Sequence, residues 1–223
     1  MFESVSVIVG LEIGTSKVCC VVSEVMADGA LNVIGVGQSK SRGVRKGEIV
    51  DPTPTEEDMR HAISEAEHMA DVEIRSVYLG VSGGHIRGFN NRGVHSVVAE
   101  DREITAEDVQ DVIKNAKAIN LPMENTIVHT IRQHFLVDGQ AGIQNPIGML
   151  GAKVEVDVHV IHGVHNRLQN PIRTFKSLQL DVEAIAFNGL ASAMAALSNE
   201  HKELGALVID IGAGTTDYVV YSN

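Results

Sequence analysis

The chain has 223 residues, 44% of them apolar and 21% charged, and 18 Lys and Arg against 29 Asp and Glu leave a formal net charge of -11. This is the composition of a globular chain, long enough for one large or two small domains with a buried core, and it excludes a disordered or fibrous protein. The acidic balance also argues against nucleic acid or anionic lipid as a general ligand, since both need clustered Lys and Arg, and no basic run exceeds Arg45-Lys46.

The chain opens with three short runs rich in Val and Ile, Val5–Ile13, Val18–Val25 and Leu31–Val36, broken by Gly14-Thr15-Ser16 and Asp28-Gly29. That pattern predicts a β-meander. Cys19 and Cys20 sit side by side in the second run, where neighbours face opposite ways and cannot easily close a disulfide. They read as reduced packing residues without a neighbouring cation. Val5–Gly10 is short for a signal-peptide core, and no stretch approaches the ~18 apolar residues of a membrane span, so a soluble, cytosolic chain is expected.

After a loop, Ser41–Gly47, whose basic residues read as solvated, Thr55 is the expected N-cap of a helix with Glu56, Glu57 and Asp58 in its first turn. Met59, Ile63, Ala66 and Ala70 give that helix one apolar stripe, and Ser76–Val81 returns to strand character. Gly83-Gly84 interrupts the pattern. Beyond it Thr105 is the expected cap of a second helix, with Val109, Val112, Ile113, Ala116 and Ile119 on one face. Thr126–Val137 is β-rich, and Lys153–Ile161 alternates as a strand with one wet face does. Residues 85–161 thus read as an inserted α+β subdomain.

A helical pattern resumes through Leu168, Ile172 and Phe175, with Pro171 either inside the helix or at its first turn, and an Ala-rich helix covers about Asn188–Leu197. The chain then reaches a glycine-turned hairpin, Ala206–Ile211 and Asp217–Tyr221. A sheet is not expected to stop at such a hairpin. His159, His162 and His165 are spaced for no standard metal-ligand set, because residues three apart on a strand face opposite sides.

No Walker sequence is present. Instead one pattern recurs: a strand, an acid, a tight glycine turn with hydroxyls, and a second strand. It is Glu12-Ile-Gly14-Thr15-Ser16-Lys17 near the start and Asp210-Ile-Gly212-Ala-Gly214-Thr215-Thr216-Asp217 near the end. Glycines let backbone N–H groups approach phosphate oxygens, and the hydroxyls add donors. Glu12 and Asp210 cannot touch phosphate without repulsion, so their natural role is to hold Mg²⁺ through its water shell. Two such turns facing each other would clamp the phosphates of a nucleotide.

With these turns, the segments Ser41–Gly47, Ser82-Gly-Gly-His-Ile86, Gly189-Leu-Ala-Ser192 and Glu203-Leu-Gly205 make the chain resemble the FtsA family of bacterial cell-division proteins, within the actin and sugar-kinase superfamily of ATPases. The resemblance implies an α/β fold with an actin-like (ribonuclease H-like) ATPase core. Residues 1–84 and 162–197 would form the first core subdomain, 85–161 the insert, and 198–223 the start of a second core subdomain. It implies ATP and Mg²⁺ as ligands, with Glu12, Gly14, Thr15, Ser16, Lys17, Asp210, Gly212, Gly214, Thr215, Thr216 and Asp217 around the phosphates. It further implies self-assembly into filaments, a link between FtsZ and the inner membrane at the division site, and contact of 85–161 with the cytoplasmic tail of FtsN.

The sequence departs from the superfamily in placing Glu12 where Asp is usual. Asn188 stands where chaperone relatives carry a catalytic Glu, and an amide can orient a water but not deprotonate it. Slow hydrolysis is expected, with ATP a structural or switching ligand. Members of this family are longer, with an FtsZ-binding surface and a C-terminal membrane helix beyond these residues, so an amino-terminal fragment with weak or undetectable nucleotide binding is expected. Two alternatives share the superfamily: a pilus-assembly protein similar to PilM, and a small-molecule kinase, for which no catalytic Asp has a convincing context.

Overall fold

The computed structural model describes residues 6–222, so Val5 and Asn223, which the sequence reading included in its elements, lie outside the described residues. The chain folds as two units, one running to His85 and resuming at His165, the other spanning Ile86–Val164.

In the first unit β1 (Val7–Ile13), β2 (Lys17–Val25) and β3 (Leu31–Lys40) form the expected antiparallel meander. A short ladder of β4 (Val44–Arg45) and β5 (Glu48–Ile49) leads into α1 (Pro52–Ala70), and β6 (Ser76–Val81) runs parallel to β1. Val18, Cys20 and Val22 on one face of β2 are buried, as are Met59, Ala62 and Ala66 of α1, which packs over β2 and β3. The two glycines of β3 set that packing distance. A Cβ at Gly35 would come within 2.7 Å of the Ala66 carbonyl oxygen, and one at Gly37 would collide with that of Ala62. Cys20 is inert, because burial pushes its thiol up to about 12. Cys19 does have a cation nearby, Lys17, but burial outweighs it and the thiol stays raised.

The first helix begins earlier than its acidic run suggested. Asp51, not Thr55, is the cap: its backbone is extended and its carboxylate accepts the Thr53 N–H at 3.2 Å. Pro52 suits the first helical position, where its missing N–H costs nothing. Thr55 is buried a turn further in and donates its hydroxyl to the Asp51 carbonyl at 2.7 Å. Buried Asp58 ties down the preceding loop by accepting the Arg42 N–H at 2.8 Å and Nε at 2.7 Å, while Glu57 takes Nη2. Arg42 is therefore an ion-pair partner rather than a freely solvated charge.

The second unit holds β7 (Arg87–Ser96), α2 (Ala106–Lys117), β8 (Asn125–Val137), β9 (Gln140–Ile143) and β10 (Lys153–Val164), with sheet order β7-β10-β8-β9. Thr105 caps α2 as expected, in a reciprocal box with Asp108. Val154, Val156, Val158 and Val160 join Val112, Ala116 and Phe135 in the core. Gly93 admits the helix, since a Cβ there would lie 2.7 Å from that of Ala116. The opposite face of β10 is drier than its alternation implied. Glu155 and Ile161 are buried, Lys153 pairs with Glu155 at 3.0 Å, and Arg92 grips Asp157 with two bonds of 2.6 and 2.7 Å.

Back in the first unit, α3 (His165–Ser177) contains Pro171 in its interior, which decides between the two readings of that proline. β11 (Asp181–Phe187) lies parallel to β6 and completes the sheet order β11-β6-β1-β2-β3. Then come α4 (Asn188–Ala196), the unexpected short α5 (Asn199–Leu204) and the hairpin β12 (Ala206–Ile211) with β13 (Thr216–Tyr221). Among the described residues no helix is long and apolar enough to cross a membrane.

If glycine at position 37 is what lets α1 seat on β3, Gly37→Ala should lower unfolding free energy by about 1–3 kcal/mol. Gly10→Ala, where an added Cβ meets nothing within 4 Å, should stay within about 0.5 kcal/mol of the parent. Urea melts of the two variants check this, and equal losses would show that the contact is not what matters.

Candidate functional site

The two glycine turns have the same construction. Gly14 N–H donates to the Lys17 carbonyl at 2.9 Å, closing β1 onto β2, and Gly212 N–H donates to the Thr215 carbonyl at 2.9 Å, closing β12 onto β13. An acid stands two residues before each glycine, Glu12 in β1 and Asp210 in β12. Asp217 lies directly across the ladder from Asp210.

The fold brings the turns together. A Cβ on Gly214 would collide with the Thr15 side chain, 2.9 Å from its Cγ2, and would lie 3.0 Å from the Lys46 Cα. Between the turns sits the Lys46-Gly47 corner, where both residues have positive φ, 52° and 74°. Gly47 N–H donates to the Thr15 hydroxyl at 3.0 Å, and Ser82 and Thr215 hydroxyls lie 3.4 Å apart. Ser16 and Thr216 are exposed, and the charge of Lys17 opposes the rise in the Glu12 carboxyl's pKa. Gly47 and Ser82 stand in segments noted for resemblance only. Nothing local in the sequence marks them as part of this cluster.

Helix α4 gathers the acids. Asn188, its first residue, donates Nδ2 to Glu12 Oε1 at 3.0 Å, and Ser192 one turn later donates its hydroxyl to Asp210 Oδ2 at 2.6 Å. Gly189 between them is pressed against the third acid, since a Cβ there would sit 3.2 Å from the Asp217 Cβ. The positive end of the helix dipole therefore lies beside the carboxylates.

The acids still oppose one another. Loss of water pushes the Asp217 carboxyl up to about 6, helped by the charges of Asp210 and then Glu12. Glu12 is raised as well, by loss of water and then by Asp210. A divalent cation would relieve this repulsion. Among the described residues no three His, Cys, Asp or Glu side chains form a direct ligand set. The arrangement thus suits Mg²⁺ held through its own waters, with Glu12 and Asp210 as the outer acceptors.

Behind the Gly47 corner lies a cavity of ≈ 30 Å³ lined by Glu48, Ser82, His85, Arg167 and neighbouring apolar residues. Arg167 pairs with Glu48 at 2.6 Å, and the buried His85 ring has no hydrogen-bond partner on either nitrogen, its Nδ1 being 3.8 Å from Glu48. Burial lowers the His85 pKa and keeps the ring neutral. The space fits one water, which would bridge that gap. In the second unit His159 is engaged by Asn90 at 2.6 Å, and His162 packs against Phe89 in a T-shaped contact.

A family model described as "SHS2 domain inserted in FTSA" matches residues 83–162. The chain is 40% identical over 220 residues to the Cell division protein FtsA of Pseudomonas aeruginosa, an alignment covering 99% of this chain and 52% of that protein. It is 41% identical over 215 residues to the protein of the same name from Escherichia coli (strain K12), covering 96% of this chain and 51% of that one. The chain thus spans about half the length of the curated relatives it matches. Among solved structures it is similar to the PilM-PilN type IV pilus biogenesis complex, with a TM-score of 0.64 at 16% identity over 96% of this chain and 57% of that one. That likeness is one of fold, and it bears out the actin-like core expected from the sequence. The closer sequence kinship favours FtsA over PilM. With about 40% identity carried along nearly its full length and a match to the domain inserted in FtsA in its middle, the chain is similar to about half of the FtsA cell-division protein.

Proposed function

We propose that the paired glycine turns bind the phosphates of ATP with Mg²⁺, and that the protein works as an actin-like cell-division protein that self-assembles, links FtsZ to the cytoplasmic face of the inner membrane at the division site, and recruits later division proteins. The observation that carries the nucleotide reading is the approach of Gly214 to Thr15, which makes one cluster of two turns far apart in the sequence. Backbone N–H groups and hydroxyls there supply donors for phosphate, and Glu12, Asp210 and Asp217 supply charge for a hydrated cation. Residues 1–84 with 162–197 would serve as the first core subdomain and 198–223 as the start of the second. Residues 85–161 would be the surface for self-association and for the FtsN tail. Attachment to FtsZ and membrane would rest on segments outside these residues.

ATP serves here as a switching ligand more than a fuel. Asn188 spends its amide nitrogen on Glu12 and has no basic atom with which to deprotonate a water. Hydrolysis is accordingly slow. The kinase alternative finds no support in the site, since no carboxylate there is free of the other two.

Two measurements test this. A thermal melt in roughly 10 mM ATP with Mg²⁺ should raise Tm by a few degrees if affinity is near millimolar. Gly214→Val, which would force the turns apart, should abolish the rise while leaving the protein folded. No rise in the parent sinks the phosphate reading.

The second measurement is a pH series without ligand. Because the Asp217 pKa is raised on folding, to about 6, its ionisation costs stability as pH rises from the ordinary carboxylate range through that value. The Tm advantage of Asp217→Asn over the parent should therefore grow between about pH 4 and 6 and level off above. A constant difference would show that the Asp217 pKa is not raised on folding.

A further inference from the structure

We propose that α4 is a latch that fixes one carboxylate from each glycine turn, Asn188 orienting Glu12 and Ser192 orienting Asp210 from the same helix face. Residues 188 and 192 are four apart, so they project side by side, and each reaches a different hairpin: Asn188 meets β1 at 3.0 Å and Ser192 meets β12 at 2.6 Å. The two acids are 198 positions apart in sequence and share no strand, yet one helical turn holds both. The inference rests on the phosphate and Mg²⁺ reading of the turns.

The chemistry of the donors matters. An amide and a hydroxyl orient a carboxylate without neutralising it, whereas Lys or Arg in their place would compete with a cation. Neutral donors thus leave the negative charge available to a hydrated ion while fixing the direction of each oxygen. The orientation of Asn188 is set by two neighbours. Its Oδ1 lies over Gly80, where a Cβ would collide with it, and its Nδ2 faces the Glu12 carboxylate, which would repel a carbonyl oxygen. Ser192 sits in a helix that, apart from Asn188, is built from Gly, Leu, Ala and Met, so its hydroxyl is the polar group one turn on that reaches Asp210. Asn188 and Ser192 are therefore positioning residues. Any change in the spacing of the turns must either move α4 or break one of the two bonds, which makes the helix the mechanical link between them.

The test combines metal binding with a ligand-free readout. Mn²⁺ is titrated into the protein, alone and with ATP, and free metal is followed by electron paramagnetic resonance for the parent, Ser192→Ala, Asn188→Ala and Ser192→Thr. The latch predicts affinity roughly tenfold or more weaker for the two alanine variants, the usual scale for losing a group that orients a metal's acceptors, and near-parental affinity for Ser192→Thr. Unchanged Mn²⁺ affinity in both alanine variants overturns it. In the apo protein, the Asn188 side-chain amide is followed by nuclear magnetic resonance. Its two proton resonances should shift and exchange faster in Glu12→Ala. If the parent binds no Mn²⁺, the metal reading fails and the amide decides the latch: a response to Glu12→Ala keeps it, and no response removes it.

Discussion

Loss of water, and after it the nearby charge of Asp210, holds the Glu12 and Asp217 carboxyls above their ordinary range, and much of the first unit serves to keep these acids together. Like charges do not gather unaided. Two strands deliver Asp210 and Asp217 as a directly opposed pair, the first hairpin adds Glu12, and α4 supplies a hydrogen bond to two of the three and its positive end to the group. The cost of assembling the acids is offset by the packing of the sheet and helices around them. Under the proposed function, the charge of a hydrated cation would balance these acids.

The same economy shows in the turns. Each glycine closes its hairpin with the same backbone bond, and the second hairpin needs a further glycine because Thr15 of the first fills the space a side chain would take. The Lys46-Gly47 corner then wedges between the threonines, reaching Thr15 with its N–H. Positive φ at both corner residues leaves glycine the natural choice at position 47, and the strain at Lys46 is held by the β4–β5 ladder around it. The cluster is thus made by backbone groups brought near one another, the kind of donors on which the proposed phosphate reading rests.

Much of this was legible in the sequence, and what escaped did so for physical reasons. The meander and the last hairpin announce themselves through β-branched runs broken by glycine, and Thr105 with Asp108 is a cap that any reading would find. β7 hides because Arg-Gly-Phe-Asn-Asn-Arg-Gly carries little apolar alternation, and Gly93 is there for the approach of α2 rather than as a breaker. The start of α1 is masked by the acids at Glu56, Glu57 and Asp58, although Asp51-Pro52 is a cap followed by its natural first residue. The acids and turn glycines could be named in advance. Ser192 could not, since a serine in an Ala-rich helix has no meaning until β12 lies beside it.

The seating of α1 on β3 reaches beyond stability. A Cβ at Gly37 would run into the Ala62 carbonyl, and one at Gly35 into the Ala66 carbonyl and the Ala70 Cβ, so neither glycine can grow unless the helix lifts from the sheet. A lifted helix would drag Asp58 and the loop that Arg42 anchors, and with that loop the corner touching Thr15. Among diverging relatives these two glycines should consequently stay put, an evolutionary fingerprint of the Lys46-Gly47 corner written some distance from it.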